Sequence, residues 1–292
     1  MLTINAYVAC DIKLLEIIRK INEKKRQIMD IKQAVKQTEY FLLDMDGTIY
    51  LDTTPIGDMK NTLESIRKSG RKIVFLTNNS SKTADEYVDK LKKIGLFGEG
   101  DFVYGSGVAT EEFLKEHRKG KKVFLLATER IKEDFKAHGI ELTESHTADI
   151  AVLAFDTEVD YNGLIAFNEC LVNGAEYIAT HPDYVCPTAG ISVPDVGSFI
   201  SFFYTSSGRR PDLIIGKPST VMGETVTSIF GTTKEKCMMV GDRLMTDIAF
   251  GLNCGFHTLL VLSGETTADM IDESETKPEN VLQDLNEIVK YL

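Results

Sequence analysis

Four short segments of this 292-residue chain place carboxylates, hydroxyls or an ammonium group directly after an apolar run. They are Asp44-Met45-Asp46-Gly47-Thr48, Thr77-Asn78-Asn79-Ser80-Ser81-Lys82, Ile215-Gly216-Lys217-Pro218-Ser219 and Val240-Gly241-Asp242-Arg243-Leu244-Met245-Thr246-Asp247. Each has a plain reading on its own. Asp and Gly are ordinary turn residues, Ser, Thr and Asn cap helices, and a Lys is usually solvated. Asp242 and Asp247 read singly as a cap and a surface charge. Together the segments form a set with one purpose. A hydroxyl with free N–H groups between a strand and a helix suits an oxyanion. A Lys held in direction by the following Pro is a compact positive charge for a phosphate. Magnesium takes few carboxylates and keeps several waters, and Asp44 and Asp242 can supply two oxygens, with Asp247 behind them. A calcium loop, which needs a late Glu, is discounted because no Glu stands at its twelfth position.

The elements that must position these groups follow from periodicity. Apolar runs at 40–43, 73–76, 102–104, 213–215, 237–240 and 257–262 read as buried strands, and helical stretches at 58–69, 82–94, 108–117, 221–230 and 245–253 alternate with them. The alternation restarts after Lys119-Gly120-Lys121-Lys122, with strands at 123–127, 150–155 and 177–179 and helices at 129–138 and 161–173. A Pro- and Gly-containing loop, 181–197, and a helix to about Thr205 lead to a second junction, Ser207-Gly208-Arg209-Arg210-Pro211. A terminal helix is expected over 281–292. Continuous apolar strands between helices predict an α/β fold with a mostly parallel sheet covered on both faces. Such sheets bind ligands beyond the carboxyl ends of their strands, where the four segments lie.

Composition narrows the function. Hydrophobic residues make up 43% and charged residues 26%, ordinary for a soluble globular protein. The net charge of −11 argues against nucleic-acid and anionic-membrane partners, which need a basic face. Five scattered cysteines without a C-x-x-C pair read as free thiols in a reducing compartment. Five histidines without metal-ligand spacing give no sign of zinc. No apolar run reaches spanning length, and no basic stretch precedes the N-terminal apolar patch, so no signal peptide is expected and the cytoplasm is. Residues 1–37 differ from the rest, with Ile12, Leu15, Ile18 and Leu14, Ile17, Ile21 at helical spacing. A packing extension is preferred over a partner or membrane-surface helix, and Met29 as a natural start is a third reading.

In this order the four segments resemble the haloacid dehalogenase (HAD) superfamily of phosphohydrolases, and more closely its type IIA, NagD-like or p-nitrophenyl phosphatase-like branch. Ala179-Thr180-His181-Pro182-Asp183 and Val261-Leu262-Ser263-Gly264 fit the same branch, and the resemblance spans roughly residues 38–292. It implies a Rossmann-like HAD core over 38–118 and 208–292, an inserted α/β cap of type C2a over 119–207, and a helical extension over 1–37. It also implies a Mg2+-dependent hydrolase of small phosphate esters: sugar phosphates, nucleotides, glycerol phosphate or pyridoxal phosphate. Asp44 would be the nucleophile that forms an aspartyl-phosphate, and Asp46 the general acid and base. The metal would lie between Asp44, the backbone carbonyl of Asp46 and Asp242. Thr77, Asn78, Asn79 and Lys217 would hold the phosphate, with Asp247 orienting metal-bound water or Lys217 from behind.

His181 departs from the Asn common in the branch, and Asp195 stands where Gly is more usual. His181, Asp183 and Tyr184 are therefore the expected specificity residues, with a plain structural loop as the alternative. A homodimer through the cap or the N-terminal helix is compatible with the sequence. Two-component receiver domains share the Asp, Thr and Lys but not the large insert. A phosphotransferase or a non-catalytic binding protein on the same fold stays open.

Overall fold

The computed structural model describes residues 30–187 and 190–292. Fourteen strands occur in them: β1 Tyr40–Leu43, β2 Tyr50–Leu51, β3 Thr54–Pro55, β4 Lys72–Thr77, β5 Phe102–Gly105, β6 Val123–Leu126, β7 Ile150–Leu153, β8 Glu176–Ala179, β9 Val185–Cys186, β10 Val193–Pro194, β11 Leu213–Ile214, β12 Cys237–Gly241, β13 His257–Val261 and β14 Asn280–Leu282. The main sheet has the order β14-β13-β12-β1-β4-β5, and every pairing in it is parallel. β1 and β12 are buried along their whole length, as strands covered on both faces must be. The chain runs from β1 outward through β4 and β5, then returns to the other side of β1 as β12, β13 and β14. The crevice between β1 and β12 is thus a topological switch point, the place where such sheets take ligands.

A second parallel sheet, order β11-β8-β7-β6, lies between β5 and β12 in the chain. One face of the main sheet packs Phe41, Leu43, Phe75 and Val240 against Leu63, Ile66, Tyr87 and Leu91. On the other face a single apolar cluster runs from Leu42, Val74 and Met239, through Ala109 and Leu114 of the helix Ser106–His117, to Val123, Leu125, Ile150 and Val152 of the second sheet. The two sheets therefore share buried apolar surface as well as chain connections. The remaining face of the second sheet packs Leu153, Phe167, Tyr177 and Phe203.

Two expectations need correction. The strand at Leu213–Ile214, placed by the sequence beyond the cap boundary at 207, pairs with β8 in the second sheet, Leu213 beside Ile178 and Ile214 beside Ala179. Its backbone completes the exposed edge of β8, and Gly216 N–H continues the pairing to Thr180 carbonyl oxygen at 2.8 Å. The expected terminal helix over 281–292 is instead β14 at the sheet edge, followed by a 3-10 turn, Leu285–Tyr291. Leu260 and Val261 opposite Val281 and Leu282 draw this segment into the ladder. Of the N-terminal extension, the helix Ile31–Gln37 buries Ala34 and Val35 in the main core. The amphipathic pattern at 12–21 lies outside the described residues.

Candidate active site

The switch point carries the acidic residues. Asp44 leaves the end of β1 with its N–H still donating to Val240 carbonyl oxygen at 2.9 Å, so the chain enters the site in register with β12. Gly47 then turns with φ +89°, a left-handed conformation that favours glycine. A Cβ on Gly47 would also meet Oδ2 of Asp242 at 2.5 Å, and one on Gly264 would overlap the same carboxylate. Two glycines thus make the room in which Asp242 sits. Its Oδ2 accepts from Glu265 N–H at 2.7 Å and its Oδ1 from the Thr48 hydroxyl at 3.3 Å. A π-helical turn, Leu244–Ile248, follows β12 and brings Asp247 back toward the strand end. There Arg243 N–H donates to Asp247 Oδ2 at 3.1 Å.

Lys217 enters from the segment just past β11. Its Nζ is 2.6 Å from Asp44 Oδ1 and 2.6 Å from Asp247 Oδ1, and the side chain is only 2% exposed. Burial opposes its charge, but the Asp247 and Asp44 carboxylates outweigh burial and hold the ammonium protonated. The Asp44 carboxyl is raised by burial and by Asp247, with Lys217 acting the other way. Burial and Asp247 push Asp242 up to about 6. Crowding adds to burial in both shifts: three carboxylates, whose ligand atoms lie within 4.8 Å of one another, face one ammonium. Three minus one leaves a formal charge of −2 in a buried place. A hard divalent cation fits both that charge and an all-oxygen donor set.

The segment that begins at Thr77 closes the other side. Thr77 ends β4, and its Oγ1 accepts from Asn79 N–H at 3.1 Å. Asn78 is buried, and its amide does something the sequence did not announce. Oδ1 accepts from Lys217 N–H at 2.9 Å, while Nδ2 donates to Lys217 carbonyl oxygen at 2.9 Å and to Asp183 Oδ1 at 3.1 Å. One side chain joins the β4 loop, the Lys217 loop and the loop after β8. Asp46 stands exposed at the cleft mouth. The cleft walls still thin its solvation enough to raise its pKa, against the opposing charge of Lys90.

A haloacid dehalogenase-like hydrolase family matches residues 41–141, and a second HAD-hydrolase-like family matches residues 214–288. The chain is 30% identical over 258 residues to the 5'-nucleotidase YutF of Bacillus subtilis, covering 88% of this chain and all of that protein. It is 41% identical to a 4-nitrophenylphosphatase from Thermotoga maritima, covering 88% of this chain and 98% of that one, with a TM-score of 0.83. The chain belongs to the haloacid dehalogenase-like hydrolases. A further structure of similar fold, a glycerol phosphate phosphatase from Mycobacterium tuberculosis in complex with calcium, is 25% identical, covers 87% of this chain and 76% of that one, and has a TM-score of 0.80.

In this HAD hydrolase the cleft is lined by Asp44, Asp46, Thr77, Asn78, Asn79, Asp183, Lys217, Arg243 and Asp247, together with Asp195 and the β9 segment Val185-Cys186-Pro187. Asp242 lies beneath, in the carboxylate group. Among the described residues, Asp46 contributes no carboxylate to that group.

The specificity loop needs correction. His181 is fully buried behind Asp183 and Asp195, 3.8 Å and 3.5 Å from their carboxylates, and does not line the cleft. Tyr184 is 66% exposed and turns into a neighbouring groove with Pro182 and Met245. Of the three expected residues only Asp183 reaches the cleft. The reason is local: Gly197 lets the next helix press against the Pro182 carbonyl, and this fold of the loop turns 181 inward and 184 outward.

Arg243 was missed. Its guanidinium lines the cleft, with Nε 2.9 Å from Glu265 and Nη1 3.6 Å from Asp183. The signal was present, since Arg243 follows Asp242 directly within the fourth motif.

Proposed function

We propose that this HAD hydrolase is a magnesium-dependent phosphomonoester phosphatase acting on small esters of the nucleotide, sugar phosphate, glycerol phosphate or pyridoxal phosphate class. The observation that carries the reading is the buried group of Asp44, Asp242, Asp247 and Lys217, with its surplus negative charge at the switch point. The 5'-nucleotidase, 4-nitrophenylphosphatase and glycerol phosphate phosphatase relatives support it.

In the proposed reaction Asp44 attacks phosphorus in line, and the bond to the leaving alkoxide breaks as the aspartyl-phosphate forms. Asp46 gives its proton to that alkoxide. The upward shift of its pKa suits an acid that must hold a proton before giving it up. Asp46 then takes a proton from the water that attacks the aspartyl-phosphate, and inorganic phosphate leaves with Asp44 restored. Lys217 has three N–H donors. Two of them hold Asp44 and Asp247, and the third is left for a phosphoryl oxygen. The Thr77 hydroxyl and the N–H groups after β4 hold the remaining oxygens. Asp44, Asp242 and the Asp46 carbonyl would hold Mg2+, which when bound offsets the repulsion between Asp44 and a dianionic ester. Asp247 aims Lys217 from behind rather than touching substrate.

We assign residues 38–118 and 215–292 to the core and 119–214 to a cap, with β11 moved to the cap by its pairing. Asp183, Asp195 and β9 would shield the reaction from water and read the leaving group. The cytoplasm is the proposed compartment, in keeping with the free thiols of Cys170, Cys186, Cys237 and Cys254. Among the described residues no helix is long and apolar enough to cross a membrane.

The test is phosphate release from p-nitrophenyl phosphate and from a panel of the four ester classes, with and without Mg2+. Release that depends on Mg2+ is expected, and Asp44→Asn should abolish it. Absence of release from every ester with Mg2+ present would overturn the reading. Substantial turnover by Asp44→Asn would remove Asp44 as nucleophile.

A further inference from the structure

A second group of potential ligands lies outside the catalytic cleft, where the helix Ser106–His117 of the main sheet meets the helix Glu129–Ala137 of the second. His138 Nδ1 is 2.9 Å from Glu111 Oε2 and 3.7 Å from Asp134 Oδ1. One ligand atom from each of the three lies within 4.8 Å of the other two. Glu111 is 2% exposed, and its other oxygen, Oε1, is buried with no hydrogen-bond partner among the described residues. A carboxylate in that position is costly, because an unpaired buried acceptor forfeits its hydration. The contact with His138 Nδ1 engages Oε2 and leaves Oε1 without a hydrogen-bond partner among the described residues.

We propose that Glu111, Asp134 and His138 form a site for a zinc-class divalent cation that bridges the two helices. The donor set decides the class. An imidazole nitrogen with two carboxylate oxygens suits zinc, whereas magnesium and calcium prefer oxygen throughout. Ligand atoms about 2.0–2.2 Å from a tetrahedral zinc ion stand about 3.4 Å apart. The separations of 2.9 and 3.7 Å from His138 Nδ1 bracket that spacing. His138 and Asp134 are 50% and 25% exposed, so the ion has a path in, and water completes the fourth position. His138 follows Asp134 by one helical turn, which presents both on one face, and Glu111 arrives from the other helix. The ion would tie the second sheet to the helix that packs on the first.

The experiment uses full-length, tag-free protein, stripped of metal and then saturated with Mg2+ to occupy the catalytic carboxylates. Co2+ is titrated in and its visible absorption recorded, followed by displacement with Zn2+. Zinc affinity is measured separately by calorimetry. One equivalent of Co2+ with a tetrahedral-type band, displaced by Zn2+, is expected. His138→Ala and Asp134→Asn, both at partly exposed positions, should lose the band and weaken zinc binding at least tenfold, while Asp242→Asn keeps both. Zinc should raise the melting temperature of the wild type but not of His138→Ala. The proposal fails if Mg2+-saturated protein binds neither metal, if His138→Ala binds zinc as the wild type does, or if Asp242→Asn removes the band instead.

Discussion

Nζ of Lys217 stands 2.6 Å from Oδ1 of Asp44, so the proposed nucleophile is held by a cation from the segment that follows β11. The same ammonium reaches Asp247 at 2.6 Å. Removing it strands two buried carboxylates. Lys217→Met should cost about 3–5 kcal/mol of stability and about 10²–10³ in kcat. Adding Asp247→Asn should recover much of the stability and none of the activity. Urea unfolding beside steady-state kinetics separates the two effects. Equal stability of Lys217→Met and wild type would contradict the pairing.

Asn78 joins Lys217 backbone and Asp183 through one amide. Asn78→Ala should cost about 1–3 kcal/mol and lower kcat/KM more than the stability loss explains, because Lys217 loses its fixed backbone. Asn78→Asp should be worse, since it replaces the Nδ2 donor by an acceptor facing two oxygens. An Asp variant that matches wild type in melting temperature and kcat/KM would exclude the arrangement.

Asp242 fits because Gly264 has no side chain. Gly264→Ala should displace that carboxylate and raise the Mg2+ concentration for half-maximal activity at least tenfold, with a smaller fall in kcat at saturating Mg2+. A Mg2+ titration reads this directly. An unchanged titration midpoint would count against Asp242 as a ligand.

His181 is buried, and burial pushes its pKa from 6.5 down to about 4, with Asp195 opposing and Lys217 and Arg243 adding to the shift. Its folded pKa lies below its unfolded one, so between these values the unfolded chain binds more protons. The stability linked to neutral His181 is complete above about pH 6.5 and declines as pH falls toward 4. At pH 5 the loss is about 2 kcal/mol. His181→Asn removes the titration. The gap between wild-type and variant melting temperatures should therefore move in favour of the variant on going from pH 7.5 to 5. A gap independent of pH would show that His181 does not take up this proton on unfolding.

The main sheet was legible because strands buried on both faces read as plain apolar runs, and Asp44, Thr77 and Asp242 could be placed at their ends. Leu213–Ile214 was legible as a strand but not as a partner of β8. Two apolar residues carry no mark of which sheet they complete. The loop after β8 was harder still. Which of His181, Asp183 and Tyr184 faces the cleft depends on the close approach of Gly197 to Pro182, 15 positions on by residue number, and no periodicity records that. Glu111 reads as one more polar residue of an amphipathic helix. Asp134 and His138, more than 20 positions on, stand against it, and nothing local records that. Arg243 was readable from its place directly after Asp242, but an Arg beside an Asp also reads as a solvated charge, and only the fold brings it into the cleft.

The amide of Asn78 has a consequence for the order in which activity arises during synthesis. A ribosome delivers Asp44 and Asn78 long before Lys217 and Asp242. Until those later segments arrive, the amide lacks both of its Lys217 partners, and Asp44 has neither its ammonium nor its neighbouring carboxylates. A nascent chain with its aspartate already outside the ribosome is thus chemically silent. In the proposed reaction, competence arrives only once Lys217 and Asp242 have followed, as a property of the assembled fold rather than of the motif that announces it.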